Sequence, residues 1–228
     1  MKIAIIVAMS KELNLLLPLF DHISEITAGA YTIHTGHIGR HEVAAMQCGI
    51  GKVNAAIATN LLIDTFGPQL VINTGVAGGT GKAGILDVVV GERVAYHDVW
   101  CGPGTQEGEA SGCPRFFRGA PSLLSLPCLT QRPGIVRGLI CSGDRFIASP
   151  AEVEHIRSIY PEVAAVDMES AAIAHVCHLR DIPFLSIRVM SDTPGDNDNN
   201  ISQYENFWSD APSHTFALLK SILSEING

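Results

Sequence analysis

Leu70-Val71-Ile72-Asn73-Thr74-Gly75-Val76-Ala77-Gly78-Gly79-Thr80-Gly81 opens as a short apolar run and ends in glycines. A run rich in branched apolar residues and too short for a helix is the pattern of a strand buried on both faces. Parallel sheets covered by helices are built from such strands. The glycines leave two uses open: a tight exit from the strand, or a backbone surface that a ring or sugar can approach closely. Their order is not Gly-x-Gly-x-x-Gly, and the lysine of a phosphate-cradling loop is missing.

Upstream, residues 2–8 form a second continuous apolar run, and Ser10 to Phe20 spaces Leu13, Leu16, Leu17 and Phe20 at helical intervals. Residues 23–48 read as three shorter strands, broken at Ala28-Gly29-Ala30 and at His37-Ile38-Gly39-Arg40. Gly51 to Phe66 reads as a helix that stops at Gly67-Pro68. Downstream, strands are expected over Asp87–Ala95, Ile135–Cys141, Val163–Val166 and Pro183–Met190. Helices are expected over Pro150–Ile159, Asp167–Leu179 and Tyr204–Ile226. Residues 99–134, rich in Gly, Pro and Ser, carry no clear element. Alternating strands and helices without a linker or repeat predict one α/β domain over 1–228. Its core is expected to be a mixed, mostly parallel, twisted sheet flanked by helices.

The composition narrows the function. At 228 residues, with 46% hydrophobic and 17% charged residues, the chain can bury a core and is not a disordered segment. Fifteen Lys and Arg against twenty-three Asp and Glu give a net charge of −8, with no basic run to offset it. Such a chain repels phosphate backbones and anionic lipid, so neither nucleic acid nor a membrane is expected as partner. The six cysteines contain no Cys-x-x-Cys pair, and several sit in apolar runs as small hydrophobes. Ser10-Lys11-Glu12 cuts the N-terminal apolar run before it can serve as a signal peptide, and no stretch of about twenty apolar residues follows. A cytoplasmic protein is expected.

Ligands of open α/β sheets bind beyond the carboxyl ends of the strands. Glu12, the glycine stretch, Glu169 and Asp192 all fall there. A single carboxylate near a helix start is usually a surface residue favoured by the helix dipole. Three on one rim would be a site. His175 and His178 share a helix face but lack a third ligand for zinc, so a packed or surface pair is expected. Asp192, Asp196 and Asp198 lack the calcium-loop pattern and read as a solvated acidic loop. No metal and no cofactor are expected.

Asn73-Thr74-Gly75-Val76-Ala77-Gly78-Gly79, Tyr96-His97-Asp98, Ser142-Gly143-Asp144-Arg145-Phe146-Ile147, Val166-Asp167-Met168-Glu169 and Arg188-Val189-Met190-Ser191-Asp192 occur in that order. Together they resemble the 5′-methylthioadenosine/S-adenosylhomocysteine nucleosidases of the nucleoside phosphorylase superfamily, over nearly the whole chain. The resemblance implies a nucleoside phosphorylase-like fold and hydrolysis of thioether adenosines to adenine and a thioribose. Adenine leaves poorly unless protonated, and the sugar passes through an oxocarbenium-like state, so the reaction needs an acid, a base and stabilising carboxylates. The resemblance makes Asp192 the acid at N7, oriented by Ser191, and Glu12 the base for water, with Arg188 helping to hold that water. Glu169 would bind the ribose hydroxyls with Met168 against the sugar, Phe146 would stack on adenine, and the Ile147 backbone would read its edge. Ala8, Met9, Ile50, Val76, Gly78 and Asp167 would also line the substrate, and Tyr204 and Phe207 would close the pocket. Burial beside adenine is expected to raise the pKa of Asp192.

Glu12 argues against phosphorolysis, since its charge would repel phosphate by about 4 kcal/mol at ~4 Å in an effective dielectric near 20. Three departures from the family pattern stand out: Val76 where some relatives carry Ser, Asp167 for a frequent Glu, and a 99–118 loop without the usual aromatic spacing. Residues 119–134 also look too short for the helix often found there. The family is typically a homodimer, with the 99–118 loop lining the neighbour's pocket. For Trp100, Phe116 and Phe117 the alternative is ordinary packing. The competing functions are hydrolysis of a related adenine nucleoside such as aminodeoxyfutalosine, phosphorolysis, and non-catalytic nucleoside binding or storage on the same fold.

Overall fold

Lys2–Val7, the first strand (β1), lies inside the sheet of the computed structural model, which describes residues 1–194, 199–210 and 214–226. Its side chains alternate between two cores. Ile3, Ile5 and Val7 join a cluster with Leu13, Leu16, Leu219 and Ile222, while Ala4, Ile6 and Ala8 join one with Ala55, Ala58 and Leu62. Both faces are apolar because helices cover both.

Helix α1 (Ser10–Leu16) runs into a 3-10 turn over Leu17–Leu19 at Pro18. Strands β2 (Asp21–Ala28), β3 (Tyr31–Ile38) and β4 (His41–Gln47) follow as a meander. Helix α2 (Lys52–Phe66) stops where Gly67 turns left-handed and donates its N–H to the Ile63 carbonyl at 2.9 Å. Next come β5 (Leu70–Gly79), β6 (Val88–Tyr96), β7 (Phe117–Arg118) and two four-residue helices, α3 (Pro121–Leu124) and α4 (Pro127–Thr130). Then β8 (Ile135–Ser142), α5 (Pro150–Ile159), β9 (Val163–Asp167), α6 (Ser170–Leu179) and β10 (Phe184–Asp192) lead to α7 (Asn200–Asp210) and α8 (His214–Glu225). No helix among the described residues is long and apolar enough to cross a membrane.

The sheet is mixed. Parallel pairs (β1–β4, β1–β5, β5–β10, β6–β8, β8–β9) make its centre, and antiparallel pairs come from the meander and from β5–β9, β6–β10 and β6–β7. β5, β10, β6, β8 and β9 therefore form a closed circuit, from which β1, β4, β3 and β2 extend as a wing.

Three elements differ from expectation. The glycine stretch is not a loop: β5 keeps pairing with β10 and β9 through Gly78, and with β9 through Gly79. Helix α6 starts at Ser170, because Asp167 still belongs to β9. The C-terminal segment is two helices, and between them Pro212, which cannot donate to a continuing helix, lies outside the described residues. Asp196 and Asp198 of the acidic loop also lie outside them.

Candidate active site

Where β1, β5, β9 and β10 end, the chain forms an open cavity of about 600 Å³, the solvent space at its mouth included. Fifteen of the sixteen residues anticipated above line it: Ala8, Met9, Glu12, Ile50, Val76, Gly78, Phe146, Ile147, Asp167, Met168, Glu169, Arg188, Ser191, Asp192 and Tyr204. Phe207 does not. It is buried behind the wall with Val189, against Val76 and Trp208, so it supports the pocket rather than closing it.

Glu12 enters from the first turn of α1. Its Oε2 accepts N–H bonds from Ala8 (2.8 Å) and Met9 (3.0 Å), and its Oε1 one from Val76 (3.1 Å). Burial pushes its pKa up, while Arg188 and these amides favour the ionised form. The space beside it exists because residue 75 is glycine. A Cβ there would collide with Oε1 of Glu12 and stand 2.6 Å from Nη1 of Arg188.

Arg188 is buried on β10, in register with Gly75. Its Nη2 donates to Asn73 Oδ1 at 2.6 Å and pairs with Asp167 Oδ2 at 2.7 Å, while Glu169 Oε2 stands 3.7 Å away. Burial opposes its charge, but Asp167, Glu169 and Glu12 hold it charged. Asp167 is committed to this framework, since it also accepts from the hydroxyls of Ser142 and Ser170. It lines the cavity as expected, and there it also anchors Arg188. Asn73, Ser142, Ser170 and Ser186 complete the buried network. None of the four was anticipated, although a polar residue such as Asn73 inside an apolar strand is the signal that finds them.

Glu169, just before α6, accepts the Gly51 N–H at 3.0 Å through Oε1, and burial pushes its pKa up to about 7. Asp192 ends β10 and has a different environment. Ser191 donates to its Oδ1 at 2.6 Å and the side-chain amide of Asn200 to its Oδ2 at 3.2 Å. Burial raises its pKa, and these two neutral donors are what opposes the shift. Phe146, half exposed at the rim, meets Tyr204 edge-on at 5.7 Å between ring centroids. Sequence reasoning also missed Ala77, Arg145 and Val166 in the lining.

The profile of the Phosphorylase superfamily matches residues 2–224. The chain belongs to that superfamily. It is 38% identical over 231 aligned residues to the 5′-methylthioadenosine/S-adenosylhomocysteine nucleosidase of Actinobacillus succinogenes, covering 99% of this chain and all of that one. The S. pneumoniae nucleosidase of the same name, solved with a transition-state inhibitor, superposes with a TM-score of 0.94 at 36% identity over the whole of both chains. The futalosine hydrolase of Helicobacter pylori superposes with a TM-score of 0.91 at 29% identity, over 99% of this chain and 98% of that one. Membership is thus shared with relatives that differ in substrate.

Away from the cavity, His175 is packed: its Nδ1 meets the Tyr96 hydroxyl at 3.1 Å and its Nε2 the Cys113 thiol at 2.9 Å. Among the described residues no three His, Cys, Asp or Glu side chains are grouped to hold a metal.

Proposed function

We propose that this chain hydrolyses the N-glycosidic bond of 5′-methylthioadenosine and S-adenosylhomocysteine, releasing adenine and the thioribose. The observation that carries the reading is the contrast between two buried carboxylates in one cavity: Asp192 with neutral partners, Glu12 beside a guanidinium. In such a pair the first is held protonated and serves as acid, the second stays ionised and serves as base. Asp192 gives its proton to N7 of adenine, Glu12 takes one from the attacking water, and Nη1 of Arg188 faces that water. Glu169 accepts hydrogen bonds from the ribose hydroxyls. Glu12 and Glu169 stabilise the positive charge that develops on the sugar. Phe146 stacks on adenine and the Ile147 backbone reads its edge. The whole chain, 1–228, acts as one catalytic domain.

Phosphorolysis needs a cation for the phosphate. Of the two arginines that line the cavity, Arg188 is paired with Asp167 and Arg145 with Glu152 at 2.5 Å. The likeness to a futalosine hydrolase favours one second reading, cleavage of aminodeoxyfutalosine. The test is adenine release from 5′-methylthioadenosine, S-adenosylhomocysteine, 5′-deoxyadenosine and aminodeoxyfutalosine, with and without phosphate. Phosphate-independent release from the thioether substrates is expected. A phosphate requirement overturns the hydrolase reading, turnover of aminodeoxyfutalosine alone replaces the substrate, and no turnover at all favours a binding protein.

The working unit is a homodimer. Val53 and Ile57 on α2, and Ile50 just before it, expose apolar side chains, and Leu179 and Trp100 are 67% and 61% exposed. Lys52 at the start of α2 holds Asp98, two residues before Trp100, at 2.7 Å. Ile50 and Phe146 are exposed apolar residues that also line the cavity, which supports a reading with a neighbour's 99–118 loop at the pocket mouth. Phe117 is buried and Phe116 packs on Tyr160, so these two are ordinary packing residues. Six free cysteines suit a reducing cytoplasm.

A further inference from the structure

We propose that Asn200 is a positioning residue for the general acid: its side-chain amide holds Oδ2 of Asp192 and fixes it against the Ile147 carbonyl. The proposal rests on the reading of Asp192 as the acid.

Asn200 is fully buried, and its Nδ2 lies 3.2 Å from Asp192 Oδ2 and 3.1 Å from the Ile147 oxygen. Both amide protons are thereby used. Turning the amide over would set its oxygen against the Ile147 carbonyl, which can only accept, so that carbonyl dictates its orientation. Among the described residues Oδ1 of Asn200 is buried without a partner, so it is the two bonds of the nitrogen that hold the side chain.

The bond also ties a helix to the chemistry. Asn200 is the first residue of α7, and in the same turn Gln203 Oε1 accepts from the Thr193 N–H at 2.9 Å and from its hydroxyl at 3.2 Å. The first turn of α7 thus holds the end of β10 at Asp192 and at the residue after it. The next residue, Tyr204, lines the cavity. Seating of this helix and alignment of the acid are one event.

In this orientation the amide donates to Oδ2, and such a bond strengthens when the acceptor becomes charged. Asn200 therefore stabilises Asp192 after its proton has left for adenine, offsetting the burial that opposes ionisation. The ionisable groups sharing the cavity wall are Glu12 from α1, Arg145, Asp167 and Glu169 from the loops and strand beside it, Arg188 from β10 and Tyr204 from α7. None of them donates to Asp192 among the described residues.

The test is the pH dependence of kcat and kcat/KM for adenine release by Asn200→Ala and Asn200→Asp, with thermal melting as a check on folding. Loss of one charge-assisted hydrogen bond should lower kcat about tenfold to a hundredfold and move the alkaline limb upward, because Asp192 then keeps its proton longer. Asn200→Asp keeps the shape and replaces the donor with a second carboxyl, so the limb moves at least as far and more rate is lost. It carries the test should Asn200→Ala fail to fold. Unchanged kinetics, or a slower enzyme with an unmoved alkaline limb, overturns the proposal. An Asp192→Asn variant of wild-type rate would sink the acid assignment itself. An inactive Asp192→Asn beside unshifted Asn200 variants sinks only the role of Asn200.

Discussion

The two ends of the cavity use the same chemical group in opposite ways. At one end Glu12 sits in a buried cluster organised by Arg188, with three backbone N–H bonds on its carboxylate. At the other, Asp192 is buried with, among the described residues, a hydroxyl and an amide on its oxygens and no cation. Burial raises the pKa of both. What separates them is the nearby positive charge, which the register of β5 with β10 sets by placing Arg188 opposite Gly75 and Asp192 opposite Gly78. The side chain of Arg188 can occupy the space beside Glu12 because residue 75 has no Cβ. A few ångströms of sheet geometry thus divide the proposed acid from the proposed base.

The contrast can be broken at either end. Asp192→Asn removes the proposed proton donor and should lower kcat/KM for 5′-methylthioadenosine about a thousandfold, within the range general acids contribute. Glu12→Gln should cost about a hundredfold, because in the proposed mechanism Arg188 also faces the water. If Glu12→Gln proves the worse of the two, activation of the water outweighs protonation of the leaving group. Gly75→Ala, whose methyl must displace both Glu12 and Arg188, should lose about tenfold through misplacement alone. A Gly75→Ala enzyme at full rate would show that the cluster tolerates more space than its packing indicates.

The smallest effect is on stability. An acid whose pKa is raised on folding makes the folded state bind the proton more tightly than the unfolded one. Its contribution therefore falls as pH rises above the ordinary carboxylate range. Asp192→Asn removes that penalty. The variant should melt above the parent at pH 8, and by a smaller margin at pH 5. A difference independent of pH would mean that folding does not shift the pKa of Asp192.

How far the sequence reached depended on whether a feature was local. The two-sided apolar pattern of β1 and β5, the glycine stop of α2 and the proline-led start of α5 were all legible, because a strand or a helix end is specified by adjacent residues. The carboxylates at the strand ends were legible for the same reason. The closure of β5, β10, β6, β8 and β9 into a circuit was not, since strand order is no local property. Nor was the use of Asp167 as the partner of Arg188, which requires β9 and β10 to approach in space. Asn200 had no signal at all: it follows a polar run and is buried only because α7 folds back over Asp192.

The closed circuit has one more consequence. A strand paired on both sides cannot recruit a further strand, so among the described residues the long unpaired border of the sheet is β2. That border is poorly made for templating fibrils. It carries Asp21 and Glu25, its register with β3 slips between Asp21 and Ser24, and His22 there adopts φ 56°. Charges and an irregularity on an edge strand are the usual safeguards against edge-to-edge aggregation.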